Sequence, residues 1–156
     1  GIKLRQGLLE IKPRQADLGG HEFLPGTAGH VGRWIKWGFP VSAADWPGVK
    51  SSHWLPVTKS RQMLYYRVTD AGGITASALD EVPERGGSLE LTEITLPDEA
   101  RWWTLGFEII GQQEYQSEIL RKIVLHALGN SSPFDLGLEK SYGYPQWLRG
   151  FQKRDQ

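Results

Sequence analysis

The sequence predicts an α+β fold, an antiparallel β-barrel packed with a C-terminal helix, formed as a single domain over residues 1–156. Three observations predict it. Strand-length segments follow one another with turn signals between them, in meander order. Several of these segments set an apolar face against a face bearing charge. One segment near the C-terminus has an apolar stripe of helical period.

The first element is a hairpin, GIKLRQGLLEIKPR, with Gln6-Gly7 as a two-residue loop. In that register Ile2 and Leu4 lie opposite Ile11 and Leu9, an aliphatic face. Lys3, Arg5, Glu10, Lys12 and Arg14 gather on the other side. The stretch from Asp17 to Gly29 is rich in glycine and polar residues and reads as a loop. His30 to Phe39 (HVGRWIKWGF) reads as a short helix, with Val31, Trp34, Ile35 and Gly38 near one side. Pro40 to Ser52 reads as irregular.

Val57 to Val68 is the next strand, and Asp70 to Gly73 (DAGG) a turn. Ile74 to Glu81 follows as the partner strand, with PERGG at Pro83 to Gly87 as a further turn. Ser88 to Leu96 and Trp102 to Ile110 are strands, joined through Pro97 to Ala100. From Tyr115 to Leu128, Ile119, Leu120, Ile123, Val124, Ala127 and Leu128 recur with helical spacing, and Gly129-Asn130 stops the helix. The aliphatic side of the sheet, the hairpin included, is its expected partner. Phe134, Tyr142, Tyr144, Trp147 and Phe151 predict that the tail docks back on the domain.

Composition narrows the class. No apolar run approaches the roughly 18 residues of a membrane span, and no secretory signal opens the chain. A soluble, cytoplasmic protein with no membrane partner is expected. The start at Gly1, directly in a strand pattern, suggests a processed or trimmed chain. There is no cysteine, which excludes disulfides and thiolate chemistry. Net charge is zero, which argues against a nucleic-acid partner. Residues 1–67 nevertheless carry ten Lys/Arg against four acids, a net +6 that the remainder offsets at −6.

Period-two counting places Lys59, Arg61 and Arg67 on one face of their strand, Glu90 with Ser88 and Thr92 on the next, and Glu108 with Thr104 on the last. If the charged faces converge, Lys3, Arg5, Lys12, Arg14, Lys59 and Arg61 form a cationic lining that binds phosphate. Glu10, Glu90 and Glu108 among them would hold a divalent metal, Mg²⁺ or Mn²⁺. The plainer account is the wet face of an antiparallel sheet.

The opening hairpin, with its E-I-K core, resembles strands of the CYTH-like superfamily, which includes the triphosphate tunnel enzymes. That resemblance implies an eight-stranded antiparallel barrel with a charged tunnel. It covers residues 1–14 and 57–110. Leu8, Glu10 and Lys12 take the spacing of the family's E-x-E-x-K strand, with Leu8 in place of the first glutamate. Alternatively, Lys3, Arg5 and Lys12 match its second pair of strands, and the hallmark strand lies upstream or is missing. Lys59 and Arg61 (TKSR) look like its later K-x-R strand, and Glu90 is similar to its acidic strand.

The expected function is binding of a phosphorylated small anion, a triphosphate or polyphosphate, in the charged barrel interior. Metal-dependent hydrolysis by a triphosphatase-like phosphohydrolase is the enzymatic extension, with catalytic residues unassigned. The rivals are a non-enzymatic lipocalin-like barrel binding an apolar or tetrapyrrole ligand, and a degenerate protein-interaction module. Gly26 to Arg33 (GTAGHVGR) lacks the ending of a phosphate-binding P-loop. The four histidines lack zinc spacing.

Overall fold

The computed structural model describes residues 1–42, 54–78, 81–110, 115–129 and 135–152, with backbone alone for 151 and 152. They divide into two compact units, Gly1–Trp54 with Ser132–Gln156, and Leu55–Ser131.

In the first unit, β1 (Ile2–Arg5) and β2 (Leu8–Ile11) form the opening hairpin. Gln6 and Gly7 both adopt positive φ, 50° and 75°, the loop geometry whose twist suits paired strands. Ile2 faces Ile11, Lys3 faces Glu10, Leu4 faces Leu9 and Arg5 faces Leu8. Two longer strands, β3 (Arg14–Leu24) and β4 (Thr27–Trp34), pair only with each other and carry three register irregularities. A short strand, β5 (Trp37–Pro40), then joins the free side of β2, setting Phe39 beside Leu9 and Trp37 beside Ile11.

This region corrects two expectations. The loop read over Asp17–Gly29 is most of a hairpin, turning at Pro25-Gly26. The short helix read over His30–Phe39 is strand on both sides of Ile35-Lys36. The bulges lie in β3, where Gln15, Leu18 and Phe23 are extra residues. β4 is continuous, and the break at Ile35-Lys36 before β5 sets Val31, Trp34, Ile35 and Gly38 at the spacings of three and four that imitate a helix. Of the segment read as irregular, Pro40 ends β5, and residues 43–52 lie outside the described residues.

The second unit is a four-stranded antiparallel sheet. It contains β6 (Thr58–Val68), β7 (Ile74–Ala76), β8 (Gly86–Thr95) and β9 (Arg101–Ile110), in the order β7-β6-β8-β9. The DAGG turn closes where the Thr69 N–H donates to the Gly73 carbonyl at 2.9 Å. Tyr66, Leu89, Phe107 and Ile109 share one face. There they pack with Ile119 and Ile123 of α1 (Gln116–Leu128), which ends at Gly129. Burying this stripe holds the helix, since thirteen residues alone are marginal in water. The sheet of its own unit thus packs against the stripe.

The tail belongs to the first unit. It runs through a single 3₁₀ turn (Leu138–Lys140) into α2 (Tyr144–Gln152), a helix with Pro145 in its first turn. The Leu136 carbonyl accepts from the Ala28 N–H at 2.7 Å, and Ser141 Oγ accepts from the His30 N–H at 2.8 Å. The tail therefore docks on β4, and Tyr144 meets Trp147 edge to face. Phe134 and the Phe151 side chain lie outside the described residues.

The barrel expectation is corrected. The described strands form three separate sheets, β1-β2-β5, β3-β4 and β7-β6-β8-β9, and none closes on itself. Closure requires every strand to have two hydrogen-bonded neighbours. Neither strand of the β3-β4 ribbon pairs with another named strand, and the four-stranded sheet ends at β7 and β9.

Candidate functional site

The charged side of the three-stranded sheet is built around one carboxylate. Glu10 lies at the middle of β2, opposite Lys3 on one side and Gly38 on the other. Gly38 has no side chain to stand over Glu10. Two residues before Gly38, Lys36 falls on the same side by strand period and reaches Glu10.

Lys3 Nζ stands 2.6 Å from Glu10 Oε2, and Lys36 Nζ stands 2.5 Å from Oε1. Arg5, one step along β1, brings a guanidinium nitrogen within 3.9 Å of Oε1. These three cations leave Glu10 only 3 % exposed, while each remains more than half exposed itself. The bonded ammonium groups of Lys3 and Lys36 hold the Glu10 pKa at about 2, outweighing the opposing effect of burial. The carboxylate therefore stays ionised and keeps three positive charges together at the surface.

The remaining first-unit candidates are placed differently. Lys12 follows β2, two residues beyond Glu10, and its N–H donates to the Gly1 carbonyl at 2.8 Å. Arg14 opens β3, pairs with Asp17 at 2.8 Å and stands over the Trp34 ring at 6.0 Å. Asp17 and Trp34 therefore engage its guanidinium.

Lys59, Arg61, Glu90 and Glu108 lie together on the face of the four-stranded sheet opposite α1, as period-two counting places them. Arg61 Nε stands 3.3 Å from Glu90 Oε2, and Thr92 Oγ1 donates to Glu90 Oε1 at 2.8 Å. Glu108 faces Ser88, one diagonal step from Glu90. The candidates thus fall into two sets, Lys3, Arg5, Lys12, Arg14 and Glu10 in one unit and Lys59, Arg61, Glu90 and Glu108 in the other.

No family model, curated protein or solved structure matches this chain.

The oxygens of Glu10 and Glu90 are turned to cations and a hydroxyl. Both oxygens of Glu10 meet ammonium groups, and both oxygens of Glu90 meet Arg61 or Thr92. Among the described residues no three Asp, Glu or His side chains come together as ligands. A hard cation prefers several unengaged oxygens, so no chemical step is derived through a metal. Likewise, no helix among the described residues is long and apolar enough to cross a membrane.

Sequence reasoning missed Lys36. The usable signal was the order Lys36-Trp37-Gly38-Phe39, which alternates polar and apolar once it is read as a strand.

Proposed function

We propose that this chain binds a small phosphorylated anion, with a triphosphate or polyphosphate as the leading class, on Lys3, Arg5 and Lys36. The observation that carries the reading is three cations packed around one buried carboxylate, a local charge of +2. Glu10 is the positioning residue. It restrains two flexible ammonium groups that would otherwise spread apart, which lowers the entropy lost when an anion arrives.

A polyphosphate suits such a patch because its charge is dense and its oxygens accept charge-assisted hydrogen bonds from several donors at once. A net charge of zero over the whole chain favours a compact anion at this local patch over an extended nucleic acid. The reading is one of binding, and no hydrolytic step is assigned.

Isothermal titration calorimetry with sodium tripolyphosphate, with and without Mg²⁺, tests it. Binding is expected without metal, weakening as salt rises. Lys36→Ala and Lys3→Ala should each weaken it about tenfold, the scale of one lost charge-assisted contact. Arg101→Ala, at an exposed pair with Glu93, should leave it unchanged. No heat at millimolar tripolyphosphate, or equal affinity in all variants, would sink the proposal.

A further inference from the structure

The three cations around Glu10 are not engaged alike. Lys3 Nζ and Lys36 Nζ lie 2.6 Å and 2.5 Å from its two oxygens, each within hydrogen-bond distance. Arg5 comes no nearer than 3.9 Å, drawn by charge but too far for a hydrogen bond. A guanidinium carries five N–H donors in a rigid fork. Among the described residues no acceptor takes a hydrogen bond from that of Arg5.

The strand register accounts for the difference. Lys3 stands directly opposite Glu10. Arg5 closes β1 opposite Leu8, and Leu8 pairs in turn with Pro40. Neither neighbour has a polar side chain to accept from the fork. Arg5 reaches the carboxylate only along the diagonal, where residues on one sheet face lie about 7–8 Å apart. Glu10 therefore attracts the guanidinium without using its donors, and more than half of the side chain stays exposed.

We infer that Arg5 is the specificity-determining residue of this site, its open fork taking two oxygens of one phosphoryl group while Lys3 and Lys36 supply fixed positive charge. The inference rests on the phosphate reading above and divides the work among its three cations.

The chemistry of the two side chains separates the roles. An ammonium is a compact point charge that attracts an anion of any shape. A planar guanidinium presents two parallel N–H bonds that match two oxygens on one phosphorus, adding geometry to charge. A monatomic anion offers one round acceptor and gains nothing from the second bond. Preference for a phosphoryl ligand over such an anion thus belongs to Arg5, the one cation of the three with its donors uncommitted.

Calorimetry of the full chain with sodium tripolyphosphate, comparing wild type with Arg5→Lys and Arg5→Ala, tests this. Arg5→Lys keeps the charge and removes the fork. It should weaken binding about tenfold, the scale of one lost charge-assisted contact, with the salt dependence of the wild type. Arg5→Ala should weaken binding at least as far and flatten the salt dependence. The Glu10 titration midpoint should stay near 2 in Arg5→Lys, because Lys3 and Lys36 hold it there. In the wild-type protein the Arg5 Nε–H resonance, absent from Arg5→Lys, should shift and sharpen as tripolyphosphate is added.

Wild-type affinity in Arg5→Lys, or an Arg5 Nε–H resonance that ignores the ligand, would overturn the inference and leave the phosphate reading standing. The resonance decides the matter even where circular dichroism shows that a variant has not folded. A Glu10 midpoint raised in Arg5→Lys would show that Arg5 acts through the carboxylate, and would overturn its direct role. No binding by the wild type would overturn both readings.

Discussion

Lys36 Nζ stands 2.5 Å from Glu10 Oε1, tying the residue before β5 to the middle of β2. The ion pair joins the residue that leads into β5 to the central strand of the sheet. With Lys3 on the other carboxylate oxygen, the pair converts a sheet face into a fixed cationic site.

The first prediction concerns pH. The Glu10 pKa falls from 4.5 to about 2 on folding, so the folded chain binds this proton less readily than the unfolded chain does. Its stabilising effect is complete above about pH 4.5 and disappears as pH falls through about 2. A carbon-detected NMR titration of the Glu10 side-chain carboxyl should give a midpoint near 2. A midpoint near 4.5 would mean that the lysines do not hold it in solution.

Glu10→Gln removes the charge that the three cations share and leaves them facing one another. The expected loss is about 1–2 kcal/mol, less than the roughly 3–5 kcal/mol of a fully buried broken pair because the cations are half solvated. Thermal unfolding followed by circular dichroism should show a Tm several degrees lower. No change in Tm would show that the carboxylate does not hold the cluster together.

Much of the fold could be read from the sequence where alternation is strict. The opening hairpin has the register that Ile2, Leu4, Leu9 and Ile11 require, because shifting by one residue would mix charges into the aliphatic face. The Val57–Val68, Ser88–Leu96 and Trp102–Ile110 readings also match strands, and Ile119, Ile123 and Val124 are buried as the helical stripe demands. The β3-β4 ribbon was hidden by its own composition. Gly19, Gly20, Gly29 and Gly32 supply no side chain to mark a face, and its bulges break the period. Reading Lys36 within a helix separated it from Glu10, so the site was recognised by its hairpin half alone. Strand count suggested a barrel, but closure depends on edge pairing, which alternation does not encode.

The apolar core of the second unit makes a third prediction. Ile123 is fully buried in a cluster with Ile119 of its own helix and Tyr66 of β6. Ile123→Ala should cost about 2–5 kcal/mol, through lost burial and the cavity left behind. Urea unfolding should report it as a lower midpoint, and a cost below about 1 kcal/mol would show that α1 is not anchored there.

Gly86 makes the fourth. Its φ is 157°, and a Cβ at this position would collide with the backbone carbonyl of Tyr66 on the neighbouring strand. A compatible glycine-to-alanine replacement stabilises by up to about 1 kcal/mol, whereas Gly86→Ala should destabilise by more than that amount. A neutral result in urea unfolding would contradict the pairing of Gly86 with Arg67.

The central claim is that phosphate is bound by the cluster around Glu10. Chemical-shift mapping of the labelled chain with sodium tripolyphosphate tests it most directly. The account predicts saturable shifts concentrated at Lys3, Arg5, Glu10 and Lys36, and their loss in Lys36→Ala. Shifts centred on Arg61 and Glu90, or none at millimolar ligand, would contradict it.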